Sequence, residues 1–262
     1  MDSPISRLRS IFIDGRPIIP FLTAGFPKPT VFLDAVTACV DAGAAALEIG
    51  VPFSDPLADG PTIQHSSQVA LAQGVDLDAV FDLTQRVCTR HDIPVLLMGY
   101  FNPLLKRGLD RFASDVRSAG ACGTIIPDCP VDEAVDWMAA SRRVGLANVF
   151  LIAPTTTDER ITVIDRHSTA FSYCVSVAGV TGARSGVAAS TRRFLKRVAE
   201  RAEKPHVVGF GISNPAHIRE LRGLADGFVV GSALVNTLRD GKGRERTHRL
   251  SNLVESLVRA AE

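Results

Sequence analysis

Short apolar runs rich in β-branched residues alternate with longer stretches of helical periodicity along the chain. The runs fall at Ile18 to Gly25, Ala44 to Val51, Pro94 to Tyr100, Gly123 to Pro127, Asn148 to Ala153, Ala170 to Val177, His206 to Gly211 and Asp226 to Gly231. Each is followed by a segment of helix length. Eight such units predict an α/β fold, a parallel sheet closed as a (β/α)8 TIM barrel, with one domain spanning residues 1–262. Nearly continuous apolar strands such as PVLLMGY agree with a sheet covered on both faces. A doubly wound open sheet is the alternative, but it would begin with a Gly-rich dinucleotide turn, and none follows the first strand. Helix punctuation fits the same scheme: Val131-Asp132-Glu133 opens one helix, Ser213-Asn214-Pro215 caps another, and Asp240-Gly241 ends the helix after the last strand. An extra N-terminal helix, about Ile5 to Ile13, is expected to cover the barrel floor.

Composition narrows the partners. A chain of 262 residues with 46% hydrophobic and 22% charged content can bury one large core. Its formal charge of +1 gives no global field for nucleic acid or for an acidic membrane. No apolar run approaches the ~20 residues of a membrane helix. Asp14, Gly15, Arg16 and Pro17 interrupt any signal-like h-region at the N-terminus. The five cysteines (Cys39, Cys88, Cys122, Cys129 and Cys174) lack C-x-x-C spacing, which argues against a disulfide framework or a zinc site and for a reduced, cytoplasmic protein.

Polar residues break the apolar strands at their C-terminal ends, where a barrel of this kind carries its active site. Glu48 interrupts the second strand, and an ionised carboxylate there costs several kcal/mol unless it has partners or a function. Asp55 and Asp59 follow in a Pro- and Gly-rich loop. Two acids in unlike surroundings hold different protonation states at one pH, as an acid/base pair requires. Tyr100 and Asn102 follow the third strand, Asp128 the fourth, and Tyr173 lies on the sixth. Glycines cluster late in the chain, at Gly179-Val-Thr181-Gly182, Gly209-Phe-Gly211 and Gly231-Ser232. Bare amides at a helix N-terminus beside a serine hydroxyl suit a phosphate, although each cluster taken alone also serves a tight turn. The segment Val180 to Ala188 has the glycine content of a lid, or of a passive loop.

These motifs carry a resemblance. PFSDPLADGP (Pro52 to Pro61), followed in order by GVTG, GFGIS and GSA, resembles the alpha subunit family of tryptophan synthase, and the likeness runs from PFLTAG at Pro20 to the last strand. Gly99, before Tyr100, departs from the bulkier residue many members carry, and Ser176-Val177-Ala178 replaces a more polar run. The resemblance implies retro-aldol cleavage of indole-3-glycerol phosphate to indole and glyceraldehyde 3-phosphate. It also implies an α2β2 assembly in which the beta subunit holds the pyridoxal phosphate and this chain holds no cofactor.

By the same resemblance, Glu48 protonates indole C3 and takes the glycerol hydroxyl proton, while Asp59 binds the indole N–H. Phe21, Tyr100 and Ile125 form apolar walls, Tyr173 and Thr181 position substrate and lid, and Gly182, Gly211, Gly231 and Ser232 cradle the phosphate. Asp55, Pro56, Asn102 and Pro103 face the beta subunit. Independently, no lysine lies on a predicted strand to form a Schiff base, and the six histidines lack metal-ligand spacing. An idle regulatory subunit or a stand-alone indole-releasing lyase are the competing readings.

Overall fold

The computed structural model describes residues 3–175, 188–209, 211–241 and 243–262. Nine parallel strands follow one another as β1 (Ile18–Thr23), β2 (Leu47–Gly50), β3 (Val95–Met98), β4 (Gly123–Ile125), β5 (Ala147–Val149), β6 (Leu151–Ile152), β7 (Ser172–Val175), β8 (His206–Gly209) and β9 (Gly227–Val230). Their spatial order is β5-β4-β3-β2-β1-β9-β8-β7-β6. The two ends of this order, β5 and β6, are consecutive in sequence, so the sheet closes on itself as a (β/α)8 barrel whose fifth strand is split at Phe150. Eight continuous strands were expected. The break arises because the Thr169 and Ser168 hydroxyls accept the Asn148 and Phe150 amides, at 2.7 and 3.2 Å. Backbone pairing with β7 takes over when the Phe150 carbonyl accepts the Tyr173 amide at 3.0 Å.

The connecting helices are α1 (Pro4–Ser10), α2 (Pro29–Asp41), α3 (Pro61–Ala72), α4 (Leu77–Arg90), α5 (Phe101–Arg107), α6 (Leu109–Ser118), α7 (Val135–Arg143), α8 (Asp158–His167), α9 (Ala189–Arg201), α10 (Pro215–Leu221), α11 (Ser232–Asp240) and α12 (Gly243–Ala261). They bury one face each. In α6 that face is Phe112, Ala113 and Val116, with the Phe112 ring edge-on to Trp137 of α7 at 5.7 Å. Full burial of such side chains contributes about 1.5–3 kcal/mol apiece.

The predicted caps at Asn214 and Gly241 are present: the Asn214 side chain accepts the Ala216 and His217 amides, and α11 stops at Gly241. The helix expected to open at Val131 starts instead at Val135. Pro130 forces a separate turn first, its carbonyl accepting the Glu133 and Ala134 amides. At the N-terminus α1 ends at Ser10, short of the predicted Ile13. It lies at the strand N-termini as expected, with Leu8 buried, Arg9 donating to the Thr169 carbonyl at 2.8 Å and Phe12 edge-on to Phe171.

The floor between β7 and β8 carries a buried polar cluster. Asp165 of α8 accepts the Ser172 hydroxyl at 2.8 Å and the Glu203 amide at 2.9 Å. His206, which opens β8, directs Nδ1 at the Asp226 carboxylate (3.0 Å) and Nε2 at the Leu224 carbonyl (2.8 Å). Among the described residues, no helix is long and apolar enough to cross a membrane.

Candidate active site

Glu48 stands in register with Phe21 of β1 and Leu96 of β3, on a strand hydrogen-bonded to neighbours on both sides. It is 1% exposed, and neither carboxyl oxygen has a hydrogen-bond partner among the described residues. Burial first, and the nearby Asp59 second, push its pKa up to about 8. At neutral pH it is therefore mostly a carboxylic acid holding a proton it can give.

Asp59 reaches the same region from the loop after β2. The prolines and glycine of that loop prevent a helix until Gly60 serves as N-cap and Pro61 as the first residue of α3. The Asp59 amide donates to the Pro56 carbonyl at 3.0 Å, and its carbonyl accepts the Gln64 side chain at 2.9 Å. Burial raises the Asp59 carboxyl to about 6, against a hydrogen bond from Tyr100 that favours the ionised form. The two acids thus separate near neutrality, Glu48 protonated and Asp59 ionised.

Tyr100 does more than supply the expected apolar wall. Its hydroxyl accepts the Ala58 amide at 3.0 Å, and its ring stacks on Phe53 with centroids 5.2 Å apart. Tyr173 lies on β7, four places from β2 in the sheet, yet its phenol is held well above its ordinary value by burial and then by the charges of Glu48 and Asp59. Groups on such distant strands interact only if all point into the barrel lumen.

Glycines make the room. A Cβ on Gly209 would overlap the Tyr173 ring, one on Gly50 would overlap Phe21, and one on Gly231 would sit 3.3 Å from Phe21 Cδ1. Ile125 is fully buried on β4. At position 99 a Cβ would lie 3.0 Å from Val51 Cβ, so glycine there goes with the tight approach of the two strand ends.

After β9, two places from β2 in the sheet, Gly231 is the N-cap of α11 and Ser232, exposed, is its first residue. The Gly231 carbonyl accepts the Leu234 and Val235 amides at 2.9 and 3.0 Å, while the first amides of such a helix have no carbonyl within it to bond. Gly211 turns at φ +85 just after β8, in the left-handed region that glycine adopts freely. Thr181 and Gly182 lie outside the described residues, as do Gly179, most of Val180 to Ala188, the run Ser176-Val177-Ala178, and Phe210.

The fold and this placement of carboxylates can be set beside known proteins. The profile of the tryptophan synthase alpha chain family matches residues 14–261. The chain belongs to that family. It is 43% identical over 243 residues to the tryptophan synthase alpha chain of Geobacter sulfurreducens, covering 93% of this chain and 92% of that one. It is 44% identical over 259 residues to that of Chloroflexus aggregans, covering 98% and 96%. The crystal structure of the alpha chain from Legionella pneumophila subsp. pneumophila superposes with a TM-score of 0.90 at 30% identity, covering 100% of this chain and 98% of that chain.

For a tryptophan synthase alpha chain, the face expected to meet a partner is built from the loop after β2 and from the start of α5, since Asn102 and Pro103 are helical. Asp55 and Asn102 are exposed, and Pro56 and Pro103 half-buried. Sequence reasoning missed two apolar residues beside them, Leu57 (94% exposed) and Leu105 (56% exposed). An isolated leucine in a chain this apolar carries no sign of exposure. Asp128 was noted only for its position; its carboxylate accepts the Phe101 amide at 2.8 Å. A carboxylate just past a strand is the signal that could have found it. Among the described residues, no three His, Cys, Asp or Glu side chains gather as a metal site would require.

Proposed function

We propose that this chain cleaves indole-3-glycerol phosphate to indole and glyceraldehyde 3-phosphate, the alpha reaction of tryptophan synthase, and passes indole to a pyridoxal-phosphate-dependent beta subunit in an α2β2 complex. The observation that carries this reading is the buried Glu48 carboxyl, without a hydrogen-bond partner among the described residues, converging with Asp59 in the barrel lumen. Cleaving the bond between indole C3 and the glycerol side chain needs an electron sink. The indole ring becomes that sink when Glu48 delivers its proton to C3. The ring nitrogen then carries positive charge, and the Asp59 carboxylate accepts its N–H and stabilises that charge in a site of low polarity.

Glu48, now ionised, takes the proton of the hydroxyl next to the scissile bond. The C–C bond breaks, its electron pair returns to the ring, and the hydroxyl carbon becomes an aldehyde. The proton count on Glu48 is restored, so one carboxyl serves as acid and then base.

The remaining groups position the substrate. Phe21, Ile125 and the Tyr100 ring wall the indole, Tyr173 orients the glycerol side chain, and the phosphate rests on Gly211, Gly231 and Ser232. Thr181 and Gly182, outside the described residues, take their substrate and phosphate roles from the family resemblance alone. None of the nine described strands carries a lysine, so a Schiff base lacks a nucleophile on them. The test is indole release by the purified chain with and without a beta subunit. Slow turnover that rises strongly with the partner supports the reading; no release in either case favours an idle regulatory subunit, and fast release alone a stand-alone lyase.

A further inference from the structure

Two hydrogen bonds hold the start of the helix expected to face a partner, and one of them ties it to the loop that carries Asp59. The first binds α5 at its start, where the Asp128 carboxylate, from the loop after β4, accepts the Phe101 amide at 2.8 Å. That fixes the N-terminus of a seven-residue helix without a side-chain cap of its own, whose N-cap is Tyr100. The second leaves from Tyr100 itself, whose hydroxyl accepts the Ala58 amide at 3.0 Å and favours the ionised form of the neighbouring Asp59 carboxyl. Stacking on Phe53 holds the Tyr100 ring against the opposite end of the same loop.

Asn102, Pro103 and Leu105 of α5 therefore sit two to five residues from a tyrosine that grips the segment containing the second acid. A rotation of α5 about its Asp128 anchor moves the Tyr100 hydroxyl, and with it Ala58 and Asp59.

We propose that Asp128 and Tyr100 are a positioning pair, through which a partner seated on α5 sets the pose of Asp59. The proposal rests on the reading of the chain as a partnered lyase. It adds a physical path by which docking outside the barrel changes the geometry inside it. Neither residue exchanges a proton with substrate; each acts through the group it holds. Asp59 is faced by Glu48, Tyr100 and Tyr173, and the Asp128 charge acts on Tyr100.

The test compares Tyr100→Phe, Asp128→Ala and Asp128→Asn, each checked for native near-ultraviolet dichroism. Carbon-13 NMR of the aspartate carboxyls, with the Asp59 signal assigned through Asp59→Asn, follows its titration without reference to turnover. In Tyr100→Phe the ring and its stacking remain but the hydroxyl is gone, so the Asp59 titration should move to higher pH. Its kcat for indole release should fall by about tenfold while KM stays within about twofold, the pattern of a misplaced catalytic group. Asp128→Ala should shift the Asp59 titration in the same direction and reduce the activation produced by a beta subunit. Asp128→Asn, which keeps an acceptor oxygen, should recover most of both. An Asp59 titration that is unmoved in both Tyr100→Phe and Asp128→Ala overturns the proposal. So does activation by the partner that stays at the wild-type level in Asp128→Ala. If the wild type releases no indole, the functional reading fails, while the titrations still decide the link between α5 and Asp59.

Discussion

Phe21 and Glu48 are register partners on adjacent strands, and the Phe21 ring fills the space that Gly50, two residues beyond Glu48, leaves open. The acid is thus flanked by an aromatic wall. No hydrogen-bond donor among the described residues repays its desolvation, and this makes it an acid that keeps its proton at neutral pH.

Glu48→Gln should retain the fold and lose indole release by roughly 10²- to 10⁴-fold, the range for removal of a general acid/base. It should also change how stability depends on pH. The folded carboxyl holds its proton up to about 8, from an ordinary value of 4.5. Its contribution is thus fully present below 4.5 and is lost as pH rises to about 8. The amide has no such slope, so chemical denaturation should show the variant gaining on the wild type across that window, by on the order of 3–5 kcal/mol at its upper end. Parallel stability curves would remove Glu48 from this account.

Activity should follow a bell in pH. In the proposed reaction Asp59 must be ionised to bind the indole N–H, and it protonates below about 6. Glu48 must be protonated to begin the reaction, and it ionises above about 8. The kcat/KM profile for indole-3-glycerol phosphate should fall on both sides of that interval, with the alkaline limb absent from any residual activity of Glu48→Gln.

The floor cluster should make stability decline under alkaline conditions through a second group. Both His206 nitrogens face acceptors, which favours the doubly protonated ring, and its pKa is raised above 6.5: burial opposes the charge, while Asp226 and the Leu224 carbonyl outweigh it. A raised histidine contributes stability that is complete below 6.5 and is lost as pH climbs through the folded value. Thermal unfolding of wild type and Asp226→Asn should differ most below pH 6.5, with the gap narrowing as pH climbs through the raised folded value. A gap independent of pH would mean that the ring is neutral in the folded protein.

Leu57 is almost fully exposed beside Asp55 and Pro56. Leu57→Asp should leave unfolding within about 0.5 kcal/mol of wild type, as expected for a surface change away from the core. Titration calorimetry with a beta subunit should show affinity weakened by about tenfold or more, the loss typical of a central apolar contact. Unchanged affinity would move the partner surface elsewhere.

Much of this was legible in the chain. The eight apolar runs named the barrel because a strand covered on both faces has to be apolar, and Glu48 stood out because a charge in such a run violates that requirement. Asn214-Pro215 marked a helix start and Asp240-Gly241 a helix end through local backbone preferences that need no tertiary context. The split at Phe150 was not legible, because it depends on hydroxyls of Ser168 and Thr169 returning about twenty residues later to take strand amides. The two roles of Tyr100 were hidden for the same reason: composition marks a tyrosine after a strand, but not which amide its hydroxyl meets.

By itself, the sequence determined the fold class and the family and singled out Glu48 and Asp59 as candidates, since periodicity, turn chemistry and a long contiguous motif are properties of the chain taken in order. Only the tertiary structure decided that Glu48 lacks a partner among the described residues, that Tyr173 shares its lumen from four strands away, and that Asp128 and Tyr100 tie α5 to the Asp59 loop. Desolvation and hydrogen bonding depend on which groups meet in space, and a closed barrel brings together residues that the linear pattern keeps far apart.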